Sequence, residues 1–170
     1  MNAPPPTIRI GHGYDIHRLE PPEKGGKRMI LGGVPLDHAS GPVGHSDGDA
    51  LLHALTDAIL GAIGTADIGG LFPNTDEANR DRDSLEFLNE ALRRMRGAGY
   101  ELGNVDCTVI LERPKIGPHR DSIIERLAGA LGVEPSRVNV KGKTHESVDA
   151  VGEGRAVKVH VVALLFAGGA

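Results

Sequence analysis

The stretch Val157 to Phe166 is nearly all apolar, and no other feature constrains the fold of this chain so tightly. It is far shorter than the about 20 residues that a membrane-spanning helix needs. It scarcely alternates, as a strand buried on both faces of a sheet would. The rest of the chain must therefore supply neighbours and cover for it. Leu51, Leu52, Leu55, Ile59 and Ala62 recur at helical spacing and predict a helix from about Asp49 to Ile63, capped by Ser46 or Asp47. Leu85, Leu88, Leu92 and Met95 predict a second from Ser84 to Arg96, and a third spans Arg120 to Leu131 before Gly132. Strands are expected from Ile8 onward, at Met29–Leu31 and Val34–Leu36 around a Gly32-Gly33 turn, at Gly103–Leu111 and at Val138–Lys141. The segment from Gly64 to Asp83 reads as a long functional or mobile loop. Strands interleaved with helices, without long linkers, predict an α+β fold: one mixed sheet with helices packed on one face. A single domain over residues 8–167 is expected, after a flexible proline-rich leader at residues 1–7.

Composition narrows what such a domain can do. Two Tyr and three Phe are the only aromatics, so the core must be aliphatic. Nineteen Lys and Arg against 23 Asp and Glu argue against a general nucleic-acid binder. They leave room for a local cationic pocket for a phosphorylated small molecule. The single cysteine, Cys107, excludes an internal disulfide and any Cys-based zinc finger, and inside an apolar strand it reads as inert. Met1 to Thr7 resembles neither a secretory signal nor an Arg-rich transit peptide, so a cytoplasmic protein with no membrane partner is expected.

Two clusters carry chemistry. In an extended Gly11-His12-Gly13-Tyr14-Asp15-Ile16-His17, Asp15 and His17 point to the same side. Taken alone, an Asp-x-His is equally a hydrogen-bonded polar strand end. The run from His45 through Ser46, Asp47 and Asp49 to His53 and Asp57 puts Asp49, His53 and Asp57 on one face of a helix. That face is either solvated or offers His53 as a third ligand, with Asp49 or Asp57 accepting its other ring N–H. Three N and O ligands with one open position describe a catalytic zinc, whereas structural zinc is closed by four protein ligands. A zinc enzyme and a metal-stabilised binding module both remain open on these residues. Asp67-Ile68-Gly69-Gly70 and the helix start near Ser46 can receive an anion on backbone N–H groups. Arg113-Pro114-Lys115-Ile116-Gly117 and Lys143-Thr144-His145-Glu146 follow strands as polar loops.

These blocks resemble the 2-C-methyl-D-erythritol 2,4-cyclodiphosphate synthase family of the non-mevalonate isoprenoid pathway. The likeness rests on Arg9 to His17, His45 to Asp49, His53 to Asp57, Asp67 to Gly69, Leu71 to Asp76, Pro114-Lys115 and Val138 to Lys141. It runs from about Ile8 to Leu165. The resemblance implies a lyase that converts 4-diphosphocytidyl-2-C-methyl-D-erythritol 2-phosphate to the cyclic diphosphate and CMP. It implies one zinc per subunit on Asp15, His17 and His53, and magnesium or manganese on Glu146 with the substrate diphosphate. It implies His45 and Thr144 as catalytic groups. Substrate contacts are implied at Asp15, Ile16, His17, His45, Ser46, the Asp67-Ile68-Gly69 segment, and Phe72, Pro73, Asn74, Thr75 and Asp76. Further contacts to the cytidine diphosphate are implied at Leu111, Glu112, Arg113, Pro114, Lys115, Ile116, Gly117, Lys143, Thr144, His145 and Glu146. A homotrimer is implied, with sheets lining its axis and active sites between subunits. The likeness weakens near the C-terminus, where Ala150 and Glu153 stand at the family's Phe and Arg and Arg155 follows two places later. No substrate role is carried over to those three.

Overall fold

A computed structural model describes residues 7–73 and 75–168, so all but Thr7 of the leader expected at residues 1–7, and the substrate contact expected at Asn74, lie outside the described residues. Five strands form one mixed sheet: β1 (Ile8–Glu20), β4 (Gly41–Pro42), β5 (Tyr100–Ile110), β6 (Val138–Lys143) and β7 (Ala156–Ala167). Their order is β4-β1-β7-β5-β6, and only β5 and β6 run parallel. The two-residue strands β2 (Ile30–Leu31) and β3 (Val34–Pro35) make a separate hairpin. Helices α1 (Ala50–Ala62), α3 (Ser84–Gly97) and α4 (Arg120–Leu131) belong to one hydrophobic cluster with β1, β5, β6 and β7. Two single-turn helices, α2 (Ile68–Leu71) and α5 (Asp149–Gly152), and four 3-10 turns lie between these elements among the described residues.

The apolar run does lie in the sheet interior as β7, between β1 and β5. Its odd positions Val157, Val159, Val161, Ala163 and Leu165 are buried. The expectation of burial on both faces is met on one face only: Val162 points outward and is 43% exposed. β1 alternates in the same way, with Gly11, Gly13 and Leu19 buried and Ile8, Ile10, Tyr14 and Ile16 exposed. The core is aliphatic as expected, built from residues such as Leu51, Leu55, Ile59, Leu88, Leu127 and Val159. Cys107 is fully buried there, and burial pushes its thiol up to about 12.

Helix α1 lies directly against β1 because glycines leave no side chain between them. A Cβ on Gly11 would stand 1.8 Å from the Ala58 carbonyl oxygen, and one on Gly13 would stand 1.7 Å from that of Ala54. The helix begins at Ala50, within one residue of the expected start, but its cap is a different residue. Asp49, rather than Ser46 or Asp47, is the N-cap, accepting from the N–H groups of Leu51 and Leu52. The same carboxylate accepts from Gly32 (2.9 Å) and Gly33 (2.7 Å) in the β2–β3 turn. Both glycines have positive φ, as the tight turn between these strands requires. Strand β5 starts at Tyr100, earlier than the expected Gly103, because Gly103 sits in a bulge between Leu102 and Asn104. The expected long loop from Gly64 to Asp83 holds α2 and a 3-10 turn over Glu77–Asn79, with Asn79 buried.

Candidate metal centre and active site

Asp15 and His17 are two apart on β1 and share the face that meets α1, so both side chains reach His53 in the first turns of that helix. The three donor atoms form a nearly equilateral triangle. Asp15 Oδ2 lies 3.0 Å from His17 Nε2 and 3.1 Å from His53 Nδ1, and the two imidazole nitrogens are 3.2 Å apart. Donors about 2.0–2.2 Å from a tetrahedral ion stand a little over 3 Å from one another. Among the described residues this is the one group of three or more His, Cys, Asp or Glu spaced to hold a metal ion. The side chains of His53, His17 and Asp15 keep 12%, 15% and 24% of their surface exposed, so the triangle is open on one side.

Burial alone would raise the Asp15 carboxyl and depress the His17 imidazole; their mutual hydrogen bond and charge outweigh it. Asp15 is held well below the usual carboxylate range, and His17 is raised. Hydrogen bonds from both imidazoles contribute at Asp15, and the Val43 carbonyl assists at His17. The centre is thus an anionic oxygen between two imidazoles, which suits a divalent cation.

The triangle opens into a cleft of about 350 Å³ lined by residues including His45, Ser46, Ile68, Gly69, Phe72 and Phe87. Phe72 and Phe87 pack with centroids 4.6 Å apart, and the Arg82 guanidinium covers both rings. The His45–Ser46 backbone is held from outside. The Lys27 ammonium donates to the carbonyls of His45 (3.2 Å) and Ser46 and to Asp81 Oδ1 (2.7 Å). Asp57 does not reach the His53 ring; its Oδ1 accepts from the Ile68 N–H at 2.8 Å and fixes the start of α2. Nor does Asp49 reach it, since its carboxylate is occupied by the four N–H groups of the cap and turn. His53 Nε2 instead meets Ser84 Oγ at 2.8 Å and Ser46 Oγ at 3.1 Å. Ser84 and Lys27 carry no motif that marks them for these tasks. Only the packing of α3 and of the strap before β2 brings them here.

Ile16, expected as a substrate contact, points to the opposite face of the sheet and is 45% exposed. Asp67 caps α2, its Oδ1 accepting from the Gly70 N–H at 2.7 Å. Beyond Phe72, the Pro73 carbonyl accepts from Asn79 Nδ2, and Thr75 and Asp76 are exposed.

The remaining expected residues gather elsewhere. A second cleft, about 390 Å³, is lined by Leu111, Lys115, Ile116, Gly117, Gly142, Lys143, Thr144 and Glu146. It lies at the carboxyl ends of the parallel strands β5 and β6, where ligands enter open sheets. Glu112 Oε1 accepts from the His145 N–H at 2.8 Å and joins the two loops. Arg113 and Pro114 belong to the loop between Leu111 and Lys115. Thr144 Oγ1 donates to Glu146 Oε1 at 2.7 Å. Glu146, Ser147 and Asp149 all have positive φ, a backbone shape that costs non-glycine residues about 1–3 kcal/mol each. His145 Nδ1 lies 3.0 Å from Asp149 Oδ2. Arg155 pairs with Glu153, so its charge is directed at a neighbour on its own loop. Within one chain, therefore, His45 and Thr144 line different clefts.

The chain is 51% identical over 160 residues to the chloroplastic 2-C-methyl-D-erythritol 2,4-cyclodiphosphate synthase of Catharanthus roseus, covering 94% of this chain and 66% of that one. It is 48% identical to the synthase of the same name from Ralstonia nicotianae, covering 94% of this chain and 92% of the relative. Among solved structures, the Plasmodium falciparum IspF in its CDP complex superposes with a TM-score of 0.83 at 39% identity, over 95% of this chain and 97% of that one. The YgbB family model matches residues 8–166, and with these relatives and this site geometry the chain belongs to that family, the 2-C-methyl-D-erythritol 2,4-cyclodiphosphate synthases.

Proposed function

We infer that the chain is a cyclodiphosphate synthase of the non-mevalonate pathway and that it closes its ring by metal-assisted intramolecular phosphoryl transfer. The observation that carries the metal-assisted reading is the triangle of donor atoms on Asp15, His17 and His53 at the edge of a cleft. A 2-phosphate oxygen of 4-diphosphocytidyl-2-C-methyl-D-erythritol 2-phosphate attacks the β-phosphorus. The bond from that phosphorus to the α–β bridging oxygen breaks, and CMP leaves with the electron pair. No protein nucleophile is needed, so positioning and charge neutralisation carry the rate.

Asp15, His17 and His53 would hold zinc, which supplies Lewis acidity and a fixed anchor for a phosphate oxygen. His45 and Ser46 present donors to the same phosphate, on a loop pinned by Lys27. The backbone of Ile68 and Gly69 lines the cleft where the methylerythritol hydroxyls would lie. The second cleft would take the cytidine diphosphate, and Glu146 would hold magnesium or manganese, a hard cation suited to carboxylate and phosphate oxygens; that would free the Thr144 hydroxyl, which donates to Glu146 here, to donate to the diphosphate. Because His45 and Thr144 line different clefts, the reading requires the second cleft of a neighbouring copy to complete the first. A homotrimer whose sheets line its axis would do this, and the outward face with Ile8, Ile10, Ile16 and Val162 supplies an apolar surface for it. The domain over residues 8–167 would work in the cytoplasm; no helix of the described residues is long and apolar enough to cross a membrane.

Phosphorus NMR of the protein with this substrate and a divalent ion tests the reaction. Cyclic diphosphate with equimolar CMP is expected. Ring-opened phosphate products would instead mark a hydrolase that activates water on the same metal.

A further inference from the structure

Ser84 is the first residue of α3, is fully buried, and has no part in capping its own helix, because Asp83 does that by accepting from the Leu85 N–H. Its hydroxyl lies between two groups from elsewhere in the chain. On one side is the Asp47 carboxylate; on the other is His53 Nε2, 2.8 Å away. Asp47 is itself fixed in place: its Oδ1 accepts from the Asp49 N–H and its Oδ2 from the Ser84 N–H, both at 3.0 Å. An ionised carboxylate only accepts hydrogen bonds, so the Ser84 O–H proton is directed to Asp47. The Ser84 oxygen is then left with lone pairs toward the imidazole, and Nε2 must be the nitrogen that carries the proton. Ser46 Oγ, which accepts from the Gly48 N–H, is a second oxygen 3.1 Å from the same Nε2. In the neutral ring the other nitrogen, Nδ1, then carries no proton; it faces Asp15 and His17, the side on which a divalent ion would replace its contact with the Asp15 carboxylate.

We propose that Ser84 and Asp47 are positioning residues for the metal centre: the relay Asp47–Ser84–His53 locks His53 in its Nε2–H tautomer and aims a bare Nδ1 at the ion. The proposal rests on the metal reading above. A ligating imidazole whose outer N–H is held by an oriented acceptor gains basicity and a fixed ring plane, and loss of that acceptor costs about 10- to 100-fold in metal affinity. The relay also explains why a hydroxyl is kept in a fully buried position at a helix start that is already capped.

Nitrogen-15 NMR of histidine-labelled, zinc-free protein reads the tautomer directly, and competition with a chromophoric chelator reads zinc affinity. Wild type should show His53 protonated at Nε2. Ser84→Ala should mix the two tautomers and weaken zinc binding by about 10- to 100-fold, and Ser84→Thr, which restores the hydroxyl, should recover most of both. A wild type that shows the Nε2–H form yet binds no zinc supports the relay and removes only the metal reading. His53 in the Nδ1–H form in wild type overturns the relay. So does a folded Ser84→Ala variant that binds zinc within about twofold of wild type.

Discussion

Asp49 shows how much structure one buried side chain can organise. It has no exposed surface, and its two oxygens accept four backbone N–H groups, two from the α1 start and two from the Gly32-Gly33 turn. Burial raises its carboxyl, the hydrogen bonds from Gly33, Gly32 and Leu52 opposing that. Asp49→Ala loses the cap and leaves the turn donors unmet, so a loss of at least about 2 kcal/mol is expected. Urea unfolding would read this as a lower midpoint; an unchanged midpoint would mean that water satisfies the four donors. The spacing of Asp49, His53 and Asp57 puts all three on one face, either solvated or with Asp49 or Asp57 behind a ligating His53. That spacing is equally what a cap, a ligand and a loop anchor produce when the chain before them folds back. Sequence shows the address of each residue but not the direction from which its partners arrive, and for Asp49 the partners come from the β2–β3 turn.

At the scale of elements, the metal centre depends on how closely α1 lies on β1. Gly11 and Gly13 let the helix backbone touch the strand, and His53 stands beside the Ala54 turn that Gly13 supports. A methyl on Gly13 would meet a backbone carbonyl, which no rotamer change relieves. Gly13→Ala should therefore cost about 1–3 kcal/mol or more and move His53 away from Asp15 and His17. The expected outcome is lower stability together with weaker zinc binding, read by urea unfolding and chelator competition on one sample. Weaker stability with unaltered zinc affinity would show that the centre forms independently of this contact. The long helices and strands were legible, because apolar spacing survives in the bare sequence: α4 spans the expected residues, and α3 extends the expected span by one residue, whereas the short β4 and α5 were not expected. The bulge at Gly103 and the helical turns between residues 64 and 83 were not legible, since both arise from contacts with distant segments.

For the whole molecule, the outward face of the sheet is the unusual feature. Ile10 is 69% exposed and Ile8 61%, beside Tyr14 and Ile16 on the same strand. Apolar residues gathered on one exposed face mark an interaction surface. Sedimentation should give a mass three times the 17.9 kDa of the chain. Ile10→Asp should shift it toward monomer and lower activity together, because each site would lose the neighbour that supplies Thr144 and Glu146. A wild-type monomer with full activity would rule out shared sites. The sequence pattern of β1 did indicate which side of the strand carries Asp15 and His17. It did not show that the other side lacks cover, because an apolar strand reads alike under a helix or against another subunit.

The central claim is that Asp15, His17 and His53 grip one cation, and anomalous scattering from a crystal at the zinc absorption edge tests it most directly. The account expects a single strong peak per chain, about 2.0–2.2 Å from Asp15 Oδ2, His17 Nε2 and His53 Nδ1, with a fourth position facing the cleft. A peak coordinated elsewhere, or none in protein crystallised with zinc, would contradict it.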